Sequence, residues 1–503
     1  MKKKNLASFW YKFLFLIFTI SFAFSSNVKA NDFRQEFTIY LEEEVPLLLK
    51  RYDIPGATIA LIDNGEINVI NAYGYANIEH EIPMVTDNIF RAESITKMFT
   101  AWGIMNLVES DIIDLDKPAE DYLTSWDFPD TEFDEREITI RKLLSHNAGL
   151  PFGIFNGYTI GDEDIPSLEE SLSGKAGAPA AGPVVEPGGA FNYSNPGFGV
   201  LELVIEEVTS LSYADYMENV ILKPLGMNNS KFHLTKDIRA NFVTSYNKKR
   251  EPVEPYIEPV KGHGGLLTTA EDLAKFVAAW MQHTQSKKPG QGIIKPESIN
   301  QIHTPMVKTA GIYKYFSDNY GLGHFVEKLP EGDQVIFHGG EGAANANIVC
   351  GIPEMGVGVI IMTNSNGSWQ FLSSILENWI DYLGVEWKGI SHIFRMVRMG
   401  GKVALILFFF TSAWLLWSLA RGLLIGQRTF SPLSLKASFS RFIRFGLAVL
   451  IMVVWWGTSI KEIIFWLLPN LSMWLQLSLL IFSSLLLLSA VFAKESKKYN
   501  IKV

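Results

Sequence analysis

The sequence predicts an α+β domain followed by a membrane region. Three observations carry this. A hairpin pattern opens the domain at 57–75, strand runs joined by glycines close it at 334–363, and three long apolar segments follow residue 403. Strands at both ends of a domain with helices between them are satisfied by placing first and last strands in one sheet and packing helices on it.

The elements follow in order. Lys2, Lys3 and Lys4, an apolar stretch from Phe13 to Phe24 and the small-residue ending Val28-Lys29-Ala30 read as a signal peptide over residues 1–30. In the hairpin, Asp63-Asn64-Gly65 supplies the turn between two apolar runs. Residues 94–109 read as a helix, with Ile95, Met98, Phe99, Trp102 and Met105 as its apolar stripe. The stretch 153–189 is rich in Gly, Pro and Ala, which marks a long irregular loop on the substrate side. Helices are expected at 196–210 and 213–222, the second closed by Pro224-Leu225-Gly226, and another near 270 capped by Thr269. Residues 334–338, 345–352 and 356–363 read as the closing strands.

The boundaries are expected at 31–390 for an extracytoplasmic domain and 391–503 for the membrane part, with spans near 403–420, 442–458 and 471–493. The loop between the first two spans carries Arg421, Arg428, Lys436, Arg441 and Arg444 and no acid, and the tail carries Lys494, Lys497, Lys498 and Lys502. Both are expected on the cytoplasmic side, which leaves the preceding domain outside. Arg395, Arg398 and Lys402 fall on the outer side of the first span, where an interfacial helix contacting anionic headgroups accounts for them.

Composition excludes several classes. The net charge of −9 argues against a nucleic-acid partner. Cys350 is the single cysteine, so no intramolecular disulfide forms, and its apolar surroundings read as core. No HExxH, GxxxxGK[ST] or GxSxG pattern occurs, which leaves no sequence case for a metal or a cofactor. Spans with almost no central polar residues argue against a transporter.

Three short motifs carry chemistry. In Ser94-Ile95-Thr96-Lys97 the serine and lysine stand at i and i+3, on one helix face and within mutual reach. A serine hydroxyl needs a base, and a lysine serves as one only when held neutral. Ser94 also stands at a helix start, where backbone N–H groups favour an oxyanion. Tyr193-Ser194-Asn195 lies on a tight loop between Pro187-Gly188-Gly189 and Pro196-Gly197; the phenol can shuttle protons, and the amide can bind a substrate amide or Lys97. His338-Gly339-Gly340 ends a strand, where the glycines let a substrate backbone approach its edge. Ser145-His146 and His263 are tempting as base or nucleophile, but adjacent residues point apart and His263 reads better as packed or surface.

In order and spacing these motifs resemble the serine β-lactamase-related family, which includes class C β-lactamases, D-alanyl-D-alanine carboxypeptidases, D-amino-acid peptidases, penicillin-binding-protein-like serine hydrolases and related esterases. The resemblance spans residues 35–385 and includes Leu143 through Leu150, Pro224 through Met227, Gly264-Gly265-Leu266 and Tyr320 through Gly323. It implies a β-lactamase/transpeptidase-like fold, an antiparallel sheet flanked by helices plus an all-helical region. It implies Ser94 as acylated nucleophile, Lys97 and Tyr193 as proton-transfer partners, and Asn195 as orienting Lys97 and substrate. His338 stands where many relatives carry a lysine, which puts strong β-lactamase activity in doubt. With Gly340 and Glu341 it lines the substrate edge, and the N–H groups of Ser94 and Glu341 form the oxyanion hole. The expected partners are a small-molecule or peptidyl or ester substrate of the cell envelope and the lipid bilayer. A penicillin-binding sensor or scaffold without turnover, and a weak β-lactamase or carboxylesterase, are the competing readings.

Overall fold

The computed structural model describes residues 30–494, except 160, 163, 285–286, 388, 434–437 and 458–467. The signal peptide expected at 1–30 lies outside the described residues apart from Ala30.

The opening hairpin forms as expected. Strand β1 (Gly56–Asp63) turns through Asn64 and Gly65 into β2 (Glu66–Asn77). Both turn residues have positive φ, 51° and 73°, the conformation that an Asn-Gly pair adopts most readily in a two-residue hairpin. A short β3 (Ile82–Pro83) follows. The rest of the sheet comes from the far end of the domain: β4 (Val307–Lys308), β5 (Asn319–Tyr320), β6 (Phe325–Lys328), β7 (Gln334–Glu341), β8 (Ala346–Ile352) and β9 (Val357–Thr363). The nine strands lie in the order β4-β5-β6-β7-β8-β9-β1-β2-β3, every pair antiparallel. First and last strands of the domain are thus neighbours, with Ala57 opposite Thr363.

Both faces of the central strands are covered, so β8 and β9 are buried at every position. Alternation still decides which core each side chain joins. Val349, Ile360 and Met362 face a helical layer that includes helix α4 (Ala270–Ala279). Ile348, Cys350, Val359 and Ile361 face the opposite layer, built from α1 (Ala30–Tyr52) and α5 (Trp369–Leu383). Cys350 is fully buried and burial pushes its thiol pKa upward, as a core residue requires. Thr269 caps α4 by accepting from the Asp272 N–H.

Helix α2 (Thr96–Glu109) departs from the expected one-faced stripe. Thr96 through Met105 are all buried, Lys97 among them. A helix enclosed on all sides lies at the centre of a core; here Phe99 stacks on Phe276 of α4 at 3.9 Å. Beside it runs α3 (Asn195–Thr209), whose N-terminus is capped by Ser194.

Beyond the domain come α6 (Ile390–Leu424), α7 (Phe439–Gly457) and α8 (Pro469–Val491). Among the described residues two stretches are long and apolar enough to cross a membrane, His392–Leu424 and Leu471–Val491. Of three expected spans, therefore, two meet that measure. The middle one falls on α7, with Arg441 and Arg444 near its start and its far end beside the undescribed residues 458–467. Arg395 and Arg398 pair with Glu377 of α5 at 3.3 and 2.6 Å, and Arg398 reaches Gln370 at 3.2 Å.

Candidate active site

The chain before Ser94 is fixed from three sides. Phe90–Arg91 pairs with Leu267–Thr268, the Ala92 N–H donates to Leu266 O at 2.8 Å, and Asn347 Nδ2 of β8 donates to Arg91 O at 2.8 Å. Glu93 then takes φ +55°, a left-handed conformation costly for a side chain of this size. The reversal leads into a 3-10 turn, Glu93–Ile95, and α2 begins at Thr96. Ser94 sits on that turn and Lys97 one turn on.

Lys97 Nζ lies 3.1 Å from Ser94 Oγ and donates to His263 O at 2.9 Å. The Tyr193 and Phe198 rings stand 5.0 and 5.5 Å from the amine. Burial brings the Lys97 pKa down from 10.5 to about 7, while the carboxyls of Glu258 and Glu93 pull the other way. The carbonyl that holds the amine is itself anchored. Buried Glu202 of α3 accepts from the N–H groups of Lys261 and Gly262, each at 2.6 Å, and Thr100 Oγ1 of α2 donates to Gly262 O at 2.6 Å.

Tyr193 presents its hydroxyl to Ser94, and its ring is stacked on Tyr313 with centroids 5.0 Å apart. Burial drives its pKa well above 10, with the Ser94 hydrogen bond working weakly against this, so the phenol keeps its proton. Its loop is pinned by His146. The His146 carbonyl accepts from the Asn192 N–H at 2.6 Å, its Nδ1 accepts from the Ser194 N–H at 3.1 Å, and its ring packs 4.2 Å from that of Tyr193. Burial holds the His146 imidazole neutral, its pKa well below 6.5. His146 is thus a support beneath the phenol, while Ser145 is turned away to Arg141 O and Asn147.

One expectation needs correction and another is sharpened. Asn195 borders the cleft but makes no hydrogen bond to Lys97: its Nδ2 donates to Gly153 O at 2.6 Å, and its Oδ1 is buried without a partner. His263 is packed, its ring 5.1 Å from that of Phe155, but it is packed at the site, where its carbonyl holds Lys97 and the residue borders the cleft.

His338 forms part of the cleft lining but is 1% exposed. Its Nδ1 lies 2.7 Å from the Gly339 carbonyl, so the proton belongs there, and Nε2 accepts from Tyr320 OH at 3.2 Å. Burial, aided by Lys97, lowers its pKa to about 3, so the position carries no charge for a substrate carboxylate. Beside it, β7 presses on the nucleophile turn. A Cβ on Gly340 would stand 2.2 Å from Ala92 O and 3.0 Å from Glu93 Cβ. This approach brings the backbone of Gly340 and Glu341 alongside Ser94. The Glu341 side chain borders the cleft near Trp369 and Lys248.

These groups surround a cleft of about 940 Å³. Phe152, Ile154 and Phe155, at the start of the irregular loop, form much of its apolar wall together with Tyr313, Trp369 and Phe394. Among the described residues no group of His, Cys, Asp or Glu is arranged to hold a metal ion. A hydroxyl, a buried amine and a protonated phenol in mutual reach form a site able to attack a carbonyl and deliver a proton to the departing group.

This fold and constellation define a serine hydrolase of the β-lactamase and penicillin-binding class. A family profile described as Beta-lactamase matches residues 41–377, and the chain belongs to that family. It is similar to penicillin-binding protein 4* of Bacillus subtilis, 23% identical over 346 residues that cover 64% of this chain and 70% of the relative. Protein flp of Staphylococcus aureus is 22% identical over 416 residues, 79% of this chain and 78% of its own length. Among solved structures, the octameric penicillin-binding protein homologue from Pyrococcus abyssi aligns with a TM-score of 0.57 and 27% identity, over 68% of this chain and 77% of that one. A class C β-lactamase aligns with a TM-score of 0.55 and 21% identity, over 68% and 94%.

Proposed function

We propose that the chain is a membrane-anchored, extracytoplasmic hydrolase that works through an acyl-serine intermediate on D-alanyl or related ester and amide bonds of the cell envelope. The observation that carries the reading is the convergence of Ser94, Lys97 and Tyr193, with an amine that burial holds near neutrality. Lys97 takes the Ser94 proton as the hydroxyl attacks, the oxyanion settles toward the N–H groups of Ser94 and Glu341, and Tyr193 hands a proton to the leaving group. Water then releases the acyl group by the reverse relay. A neutral His338 favours neutral or cationic substrates over the carboxylates that penicillin-like ligands carry. The anchor is supported by the apolar stretches His392–Leu424 and Leu471–Val491, and the outward orientation by the basic loop between 421 and 444.

The test is covalent labelling of the full chain in detergent by a fluorescent penicillin or a fluorophosphonate, with Ser94→Ala as control. Loss of labelling in the variant is expected; retained labelling removes Ser94 as the nucleophile. Release of more than one product per chain separates an enzyme from a sensor that is acylated once.

A further inference from the structure

The cleft does not end at the reacting groups. Strand β6 pairs with β7 only from Gln334 to Phe337, so among the described residues His338 through Glu341 are held by β8 alone and present a free edge near Ser94. Side chains alternate across that edge. His338 and Gly340 belong to the nucleophile side. Phe337 and Gly339 belong to the α5 side, where a Cβ on Gly339 would stand 2.5 Å from the Trp369 ring. Gly339 puts no side chain over the edge, and the cavity that contains Ser94 continues past it. Beyond the edge it is lined by Phe316, Phe325, Phe337, Ile348, Trp369 and Phe394. Glu341, next on the same face, is engaged by the Trp369 side chain and Lys248.

A close-packed interior rarely keeps a void open to its catalytic group. Phe325, Phe337, Ile348 and Phe394 are only 1–6% exposed, so this lobe is a narrow slot, better matched to an unbranched chain than to a ring. Its walls reward burial of methylenes, and neutral His338 beside it offers nothing to an anionic group. We propose that the lobe receives an alkyl chain carried by the leaving group, so that the substrate is an amphiphile, an ester or amide whose released alcohol or amine bears a lipid-like chain. The side of the scissile bond follows from an aromatic row. Tyr193, which serves the leaving group, stacks on Tyr313; Tyr313 stacks on Phe325 at 6.0 Å, and Phe325 on Phe337 at 5.3 Å. As Ser94 Oγ bonds to the carbonyl carbon, the C–O or C–N bond to the chain-bearing group breaks. The serine proton, relayed through Lys97 and Tyr193, ends on that group, and water later frees the acid. Phe394 points to the source of such a molecule. It is the fifth residue of α6 and stands about 14 Å along that helix from Val403, where the apolar run begins.

This inference rests on the acyl-serine reading, and the experiment keeps the two separate. The full chain in phosphatidylcholine nanodiscs is assayed for acetate release from butyl, hexyl and octyl acetate, each below its solubility limit. From butyl to octyl, kcat/KM is expected to rise between about tenfold and about two hundredfold, the upper figure being four fully buried methylenes. Phe316→Asp sets a charge in the lobe and is expected to bring the octyl-to-butyl ratio below about threefold; Ile312→Asp, at an exposed position on the rim, is expected to lower it as well. Partition of longer esters into the lipid is common to parent and variants and cancels in that comparison. A flat parental series, or a ratio that both variants leave unchanged, overturns the lobe. A steeper rise from p-nitrophenyl butyrate to octanoate, which lengthens the acyl part instead, overturns its place on the leaving side. Photolabelling of the Ser94→Ala chain by an octanol with a diazirine at its far end needs no turnover. Label on the peptides holding Phe316 and Trp369 supports the lobe whatever Ser94 does, and label confined to the apolar helices overturns it.

Discussion

Acylation of Ser94 is expected to rise about tenfold per pH unit from pH 5 to about 7 and to level off above, following the neutral fraction of a base with that pKa. The perturbations are pH itself and Lys97→Met. Holding the amine at about 7 instead of 10.5 means that a proton on Lys97 costs about 5 kcal/mol more in the folded chain than in water. The sign for stability follows. Between about pH 7 and 10.5 the unfolded chain binds a proton that the folded chain lacks, so stability contributed at this position rises with pH across that window. Below 7 the whole penalty is present. Lys97→Met removes it, at the loss of the contacts to Ser94 and His263 O, each worth about 1 kcal/mol net. The variant should therefore be inert yet more stable by about 2–3 kcal/mol at pH 7, with the advantage gone near pH 10. Glu93, whose pKa is raised to about 8, contributes oppositely: its stabilisation is present at low pH and lost as pH rises through 8. It is common to both proteins and drops out of the comparison to first order. The assays are the second-order rate of fluorophosphonate labelling from pH 5 to 9.5 and thermal melting of both proteins in the same detergent. A flat labelling profile, or a Lys97→Met chain that melts at or below the parent at pH 7, would refute a base made by burial.

Tyr193→Phe should lower kcat on anilide and ester substrates by about a hundredfold to a thousandfold, the scale of a lost proton relay. Labelling by a fluorophosphonate, whose fluoride leaves without protonation, should fall much less; equal losses in both assays would make the phenol structural. Gly340→Ala forces a methyl against Ala92 O and should destabilise the chain by about 1–3 kcal/mol and suppress labelling. A variant with parental melting and parental labelling would mean that β7 and the nucleophile turn are not in the contact described.

What the sequence revealed and what it hid divide along physical lines. Ser94 and Lys97 are three residues apart on one helix, and helix geometry brings them together without knowledge of the fold. The hairpin was equally legible, because Asn64-Gly65 encodes its own backbone conformation. Tyr193 and His338 reach the site from distant strands and loops, and only the family pattern placed them there. Glu202 and Glu258 escaped altogether, and His146 was weighed as a base rather than as a support: each acts across the fold from a position whose local sequence is unremarkable for its element. A glutamate within the buried run of α3 is the one signal that could have been used, since a charge there demands partners. Asn195 misled because an amide beside a catalytic loop has several plausible partners, and the loop carbonyl of Gly153 took it. The ion pairs of Arg395 and Arg398 at the head of α6 were equally hidden, since opposite charge on α5 is invisible from the spacing.

The join between α5 and α6 has a mechanical meaning. Only residues 384–389 separate the two helices, a reach of about 20 Å at full extension, and Arg398 clamps the second helix back onto the first at Glu377. Helix α5 begins at Trp369 and α6 contributes Phe394, and both side chains border the cleft. A domain seated on its own stem in this way has no tether along which to travel. If α6 crosses a bilayer, as proposed, such a domain would meet only bonds presented within a few nanometres of its footing, and lateral drift, rather than extension, would bring it to them.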